Sequence, residues 1–263
     1  MVAKYDRIAA ELRECIGAGA YTETHRLPAE DSLAATHGVS LATIRKSLDV
    51  LEAEGLIERH HGTGTFVKPK RQRLTRTTSR YHWEKDRVLL PDEERRRTGA
   101  TEHDSGLELA DLAFKADYAE VPAPAELARL FGIDEGATLL RRVYRTSKSD
   151  ERAPLGVGTS YLVKDVIAVN PDLLDASNEP WPGGTLHQLW TVGIEVVRIV
   201  DTVTARPASA QEAELLDVRP GAPLLALRKL SIDTNARVVE VADIVWPGDR
   251  LEMTYTTELE RWS

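Results

Sequence analysis

The chain has 263 residues, 42% hydrophobic and 29% charged, with a formal net charge of -8, which allows one large or two ordinary domains with packed cores. No run of about eighteen apolar residues occurs, which excludes a membrane-spanning helix; the acid-containing start MVAKYDRIAAELRECIGAG lacks the apolar segment of a signal peptide, and Cys15, the only cysteine, excludes an internal disulfide and fits a reducing cytoplasm. Charge is uneven: residues 1–77 hold 12 Lys+Arg against 10 Asp+Glu, net +2, and the rest hold 22 against 32, net -10, so a polyanion partner is expected at one end only.

Ile8, Ala9, Leu12 and Ile16 recur at helical spacing, and Gly17 and Gly19 end that helix. A second helix begins near Pro28, turns Leu33 and Ala34 inward and stops at Gly38. Ser40 is placed to cap a third helix running to about Glu54, with Ile44, Leu48 and Leu51 inward and Gly55 just past its end. LIERHHGTGTFV then reads as strand, glycine turn, strand. Ala34, Gly38 and Ile44 occupy the small, turning and anchoring positions of a helix-turn-helix, which puts the third helix in a DNA major groove. Its outer face carries Leu41, Thr43, Arg45, Lys46 and Asp49. The hairpin is the wing, with His61 and Thr63 at its tip and Gly62 and Gly64 letting its backbone approach phosphate. Adjacent His60 and His61 point to opposite faces, so no metal site is expected. Arg59, Lys68, Lys70, Arg71, Arg73 and Arg76 form a basic stretch without an acid, a source of further phosphate attraction.

KPKRQRLTRTTSR lacks apolar periodicity and reads as a linker. The expected division is a winged helix over 1–70, a linker over 71–90 and a second domain over 91–263. In the second domain ELARLFGIDEGATLLRRVYRTS resembles EAELLDVRPGAPLLALRKLSI at an offset of 85, each copy reading helix, tight turn, strand. The second copy opens on the capping box Ser209 to Glu212. LGVGTSYLV, EVVRIVDTVTA and RVVEVADIVW are strand-like, and LEMTYTTEL alternates strictly from Leu251 to Leu259, predicting a strand with one solvated face. Few of these strands are separated by a helix of about 12 residues, so the sheet is expected to be antiparallel and the fold class α+β. Trp181 and Trp190, in NEPWPGGTLHQLW, either wall a pocket or pack on the core.

RLPAEDSLAATHGVSLATIRKSLDVLEAEGLIERHHGTGTFV resembles the winged helix of the GntR family of bacterial transcription regulators over about seventy residues. The resemblance implies base or phosphate contacts from Arg45, a phosphate contact from Thr43 and backbone contacts at Gly62 and Gly64. With Ser40, Lys46, Arg59, His61 and Thr63 these residues are the candidate DNA-binding set. Asp31, Leu41 and Thr63 stand where the family often has arginine, so the operator is expected to differ from the common half-site. Roughly residues 80–260 resemble the UTRA ligand-sensing domain of the HutC subfamily, whose fold is similar to chorismate lyase and whose members sense small metabolites, often phosphorylated sugars or organic acids. That resemblance implies an effector contact from Arg142 and Arg145, Ser160 and Tyr161, Glu240, and Asp249 and Arg250. Tyr144 replaces a second arginine common in the family, which argues against a phosphate-bearing effector.

The expected protein is a cytoplasmic homodimeric repressor that binds a double-stranded DNA operator and is modulated by a small-molecule effector, with no cofactor and no metal. One alternative is a second domain that only dimerises. Another is an enzyme of chorismate-lyase-like fold, against which stands the absence of Gly-x-Ser-x-Gly, His-x-x-x-His, a phosphate loop or a nucleophilic cysteine context.

Overall fold

The computed structural model describes residues 3–22, 24–68, 71 and 73–261, and the chain divides into two units, Met1–Arg71 and Gln72–Ser263. Lys70, part of the basic stretch, lies outside the described residues. Among the described residues no helix is long and apolar enough to cross a membrane.

The first unit contains α1 (Lys4–Gly17), α2 (Glu30–His37), α3 (Leu41–Ala53), β1 (Ile57–His60) and β2 (Gly64–Val67). Ile8, Ala9 and Leu12 of α1, Leu33 of α2, and Ile44, Leu48 and Leu51 of α3 close on one apolar cluster with Leu27 and Ile57. Gly38 sits at φ +61 and ψ +42, the left-handed turn that lets α2 and α3 meet within three residues. The Ser40 hydroxyl accepts from the Thr43 amide at 3.3 Å, satisfying one orphan donor of the first turn of α3. β1 and β2 pair antiparallel, with His60 opposite Gly64.

The second unit begins with β3 (Leu74–Thr77), α4 (Arg80–Arg87), α5 (Asp92–Arg96) and α6 (Ala100–Ser105). It continues through β4 (Leu112–Pro122), α7 (Ala125–Phe131), β5 (Thr138–Lys148), β6 (Pro154–Val163) and α8 (Lys164–Ile167). Then follow α9 (Gly184–Thr191), β7 (Val196–Pro207), α10 (Ala210–Leu216), β8 (Pro223–Asp233), β9 (Val238–Pro247) and β10 (Leu251–Thr254). Six strands form one antiparallel sheet in the order β4-β5-β6-β9-β8-β7.

That order reads the same from either edge, because the internal repeat maps one half onto the other. α7 and α10, and β5 and β8, begin and end 85 residues apart. The turns repeat too: Ala123 N–H donates to Ala137 O at 2.8 Å as Ala208 N–H does to Ala222 O at 2.8 Å, and Gly136 and Gly221 return the bond to Ala123 O and Ala208 O. α7 and α10 pack on one face of the sheet through Leu127, Ala128 and Phe131 and through Ala213 and Leu216. The opposite face holds α8 and α9 with Leu140, Leu162, Ile167 and Leu189.

Two expectations are corrected. The segment read as a linker over 71–90 contains β3 and α4, because Leu74 is buried with Leu155, Trp246 and Leu251 and β3 has a strand partner. That partner is β10, and the pairing is parallel, unlike the main sheet. The alternating LEMTYTTEL keeps strand geometry only to Thr254, and Tyr255 is 60% exposed. Period-two alternation continues past the point where a neighbouring strand is available, and an unpaired strand has no hydrogen bonds to hold it.

Candidate DNA interface and effector cavity

In the first unit α3 and the hairpin hold the predicted DNA-binding residues on exposed positions or beside them. Arg45 is exposed and its Nε donates to Glu30 Oε2 at 2.8 Å, a hydrogen bond that raises its pKa. Lys46 is exposed, with Nζ 5.7 Å from the Tyr5 ring centroid. The Ser40 and Thr43 hydroxyls lie 3.0 Å apart and line a shallow recess beside Gly38. Arg59 is held back: Nη2 donates to Asp49 Oδ1 at 2.6 Å and to the Arg45 carbonyl at 3.3 Å, and Nε lies 3.5 Å from Glu52.

At the wing, Gly62 has φ +75 and Gly64 φ +132, and His61 and Thr63 occupy the exposed turn between the strands. Sequence reasoning missed Arg26. It bridges to Phe66, its Nη2 donates to the Thr63 carbonyl at 2.6 Å, and its guanidinium lies 5.8 Å from the Phe66 ring. A Cβ on Gly64 would stand 2.9 Å from Arg26 Nε. Arg26 therefore braces the wing tip and adds a cation where the family's arginine between the wing glycines is replaced by Thr63.

In the second unit, a cavity of about 730 Å³ lies between the sheet face opposite α7 and α10 and the segment carrying α4, α5 and α6. Behind its floor runs a hydrogen-bonded row crossing four strands, of which Ser160, Lys229 and Glu240 line the cavity. Arg142 on β5 faces Ser160 on β6 in register, and Ser231 on β8 faces Glu240 on β9. Arg142 is fully buried; its Nη1 donates to Gln188 Oε1 at 2.6 Å, and its Nη2 donates to Ser160 Oγ at 2.8 Å and lies 3.6 Å from Glu240. The Ser160 and Ser231 hydroxyls and Lys229 Nζ all donate to Glu240, at 2.8, 2.8 and 2.9 Å. Burial pushes the Glu240 carboxyl toward its neutral form, but the charges of Lys229 and Arg142 outweigh it and hold the pKa down at about 2.

A second ring of polar groups closes the wall. Glu179 Oε1 accepts from Tyr118 at 2.5 Å, from Gln188 at 2.9 Å and from Tyr144 at 3.0 Å, and Oε2 accepts from the Trp181 amide at 2.6 Å. Desolvation raises the Tyr118 phenol to about 12, and Tyr144 is also raised. On the helical side Arg80 pairs with Glu84, Nη2 to Oε1 at 2.9 Å, and with Asp104, joining α4 to α6.

Arg142, Ser160 and Glu240 are brought together; four other expected effector residues are not. Tyr161 follows Ser160, and the pleat turns it to the α7 face among Leu127 and Val241. Arg145 is an odd number of residues from Arg142 and pairs instead with Asp117. Arg250 is buried against Glu151, and Asp249 is an exposed turn residue; neither lines the cavity. Of the two tryptophans, Trp181 lines the cavity and Trp190 is 43% exposed. Sequence reasoning missed Arg76, Trp83, Glu84, Gln188 and Lys229. Lys229 carried a readable signal, since it lies on the repeat strand and shares a face with Ser231, but α4 to α6 showed no apolar periodicity.

A helix-turn-helix with a glycine wing in one unit, and in the other a ligand-sized cavity between sheet and helices, define a ligand-responsive DNA-binding protein. The family model for bacterial regulatory proteins of the gntR family matches residues 4–67, and that for the UTRA domain matches residues 116–252. The chain belongs to the GntR family, HutC subfamily, and is a transcription regulator with a UTRA effector domain rather than an enzyme. It is 28% identical to an uncharacterized HTH-type transcriptional regulator of Rhizobium meliloti (strain 1021), over 97% of this chain and 96% of that one. It is 26% identical to the HTH-type transcriptional repressor NagR of Bacillus subtilis (strain 168), over 98% and 96%, and 24% identical to the histidine utilization repressor of Klebsiella aerogenes, over 95% and 92%. A crystal structure of a GntR-family transcriptional regulator shares the fold at TM-score 0.62 and 22% identity over 97% of this chain and 98% of that one. PhnF from Mycobacterium smegmatis does so at 0.52 and 22%, over 96% and 100%.

Proposed function

We propose that the protein is a cytoplasmic homodimeric repressor whose operator affinity is set by a small molecule bound in the second unit. The observation that carries this reading is the cavity backed by the Arg142–Ser160–Glu240 row, because a domain that only dimerises has no need of a ligand-sized space of about 730 Å³ with buried charges held against it. Ser160 and Glu240 line the cavity as a hydrogen-bonded part of its wall, with Arg142 fixing both from behind it. Repression as the sense of regulation is supported by the names of NagR and the histidine utilization repressor.

Thr43, Arg45 and Lys46 contact the operator from α3, and Gly62, Thr63 and Gly64 from the wing, with Ser40 and His61 beside them. Arg59 joins them once DNA displaces Asp49. The opening of the exposed Arg45–Glu30 pair is a small cost, because such pairs contribute about 0–1 kcal/mol. A dimer gives two half-site contacts on a pseudo-palindrome. The exposed Val197, Val200 and Val203 on edge strand β7 support a homodimer contact there.

The test is fluorescence anisotropy of the full chain against a labelled duplex from upstream of its own gene and a scrambled duplex, across a salt series. A preference of about a thousandfold or more at physiological salt supports the operator reading. Binding that ignores sequence and collapses with salt overturns it.

A further inference from the structure

Arg76 was read as part of a basic tail open to phosphate, yet it is 5% exposed and lines the cavity. Its Nη2 donates to the Tyr81 hydroxyl at 2.8 Å, and its guanidinium lies 5.3 Å from the Trp246 ring and 5.8 Å from the Tyr81 ring. Among the described residues it has no carboxylate within ion-pair distance. Arg80, four residues on at the start of α4, takes both Glu84 and Asp104. Glu240 is already shared by Lys229 and Arg142. Burial and the neighbouring Arg80 charge both weaken the hold of Arg76 on its proton. Ring contacts offset only part of the cost of burying a cation. A guanidinium left in this state inside a ligand cavity lacks an anion, and its fork matches a carboxylate.

The rest of the wall restricts the body of the ligand. Trp83, Phe114, Tyr144, Trp181 and Trp246 line the cavity in a chain that is only 6% aromatic. The carboxylates on the sheet side of the cavity are engaged with their own donors. Glu179 accepts four donors, Glu240 accepts three, and Arg142 is fully buried behind the wall with both Nη atoms bonded. Sugar hydroxyls brought against that side would lose water without gaining partners.

We infer that Arg76 is the anion-binding residue of the effector site and that the effector is a monocarboxylate with an aromatic or similarly flat apolar body. This rests on the reading of the cavity as an effector site. The carboxylate takes the Arg76 fork, and the ring stacks between the tryptophans.

The experiment is titration of the full chain, by intrinsic tryptophan fluorescence and calorimetry, with 3-phenylpropionate, 3-phenylpropionamide, phenyl phosphate and gluconate. The expected result is 3-phenylpropionate binding at least tenfold tighter than each of the other three. In Arg76→Gln the acid falls to the affinity of the amide. Arg76→Lys, which keeps the charge and loses the fork, falls between, and serves if the glutamine variant does not fold. Gluconate or phenyl phosphate as the preferred ligand overturns the inference and leaves the effector site standing. An acid-over-amide preference that survives in both Arg76 variants overturns the role of Arg76. No binding of any of the four by a chain that still binds operator overturns the inference and leaves the effector reading standing.

Discussion

Arg45 and Glu240 are both charged and both paired, and their surroundings give the pairs different weight. Arg45 stands in solvent, so its bond to Glu30 is screened and leaves the guanidinium available to DNA. Arg45→Ala is expected to weaken operator binding at least tenfold, the scale of about 1–3 kcal/mol for a lost guanidinium contact, with the oligomeric state unchanged in sedimentation. Unchanged operator affinity would place the recognition face elsewhere. Glu240 is buried between two cations, and removing it leaves both uncompensated. Glu240→Gln is expected to destabilise the second unit by about 3 kcal/mol in urea unfolding. The same variant tests the pH dependence. The Glu240 pKa falls from 4.5 to about 2 on folding, so its stabilisation is present above pH 4.5 and is lost as pH drops through about 2. The wild-type urea midpoint is expected to fall more steeply between pH 5 and pH 3 than that of Glu240→Gln; equal slopes would refute the assignment.

At the scale of elements, the repeat provides an internal control. α10 begins with a full capping box: the Ser209 hydroxyl accepts from the Glu212 amide at 3.3 Å and Glu212 accepts from the Ser209 amide at 3.0 Å. α7, its counterpart, begins after Pro124 with no side-chain cap. Ser209→Ala should therefore cost about 1 kcal/mol, read from the urea midpoint, and make α10 resemble α7. Gly156 on β6 has a different duty. A Cβ there would press on the Trp246 ring and stand 3.0 Å from the Val245 carbonyl. Gly156→Ala is expected to lower stability by about 1–3 kcal/mol and to shift tryptophan emission, because Trp246 is part of the cavity wall. An unshifted spectrum with unchanged thermal midpoint would mean that the strand yields instead.

For the whole molecule, effector and operator must be linked through one chain. If a ligand lowers operator affinity by some factor, operator must lower ligand affinity by the same factor. Calorimetric titration of the ligand with and without bound duplex checks this equality, and unequal factors would exclude a single coupled equilibrium. Assembly is a separate matter. Val197→Lys, on the exposed edge strand, is expected to shift the chain toward monomer in sedimentation and to reduce operator affinity, since each monomer then grips one half-site. A retained dimer would move the interface away from β7.

The winged helix was legible residue by residue because its signals are local. Ser40 caps its own helix, Gly38 and Gly55 turn where they stand, and Ile44, Leu48 and Leu51 share a face by helical period alone. The repeat and the antiparallel sheet were legible for a related reason, since an offset of 85 carries helix, turn and strand together. Pairing and enclosure were decided only by the tertiary structure. Nothing local tells that β3 finds β10 across the length of the unit, or that Arg76 leaves the solvent because Leu74 two residues earlier is drawn into a core. Tyr161 and Arg145 are a different case: family motifs named them, but the alternation within each strand already turns them away from Ser160 and Arg142, and the pairing of β5 with β6 decides only that Arg142 and Ser160 stand opposite one another. Hydrogen-bond register fixes which residues of two strands meet, and register is a property of both strands, absent from the sequence of either one.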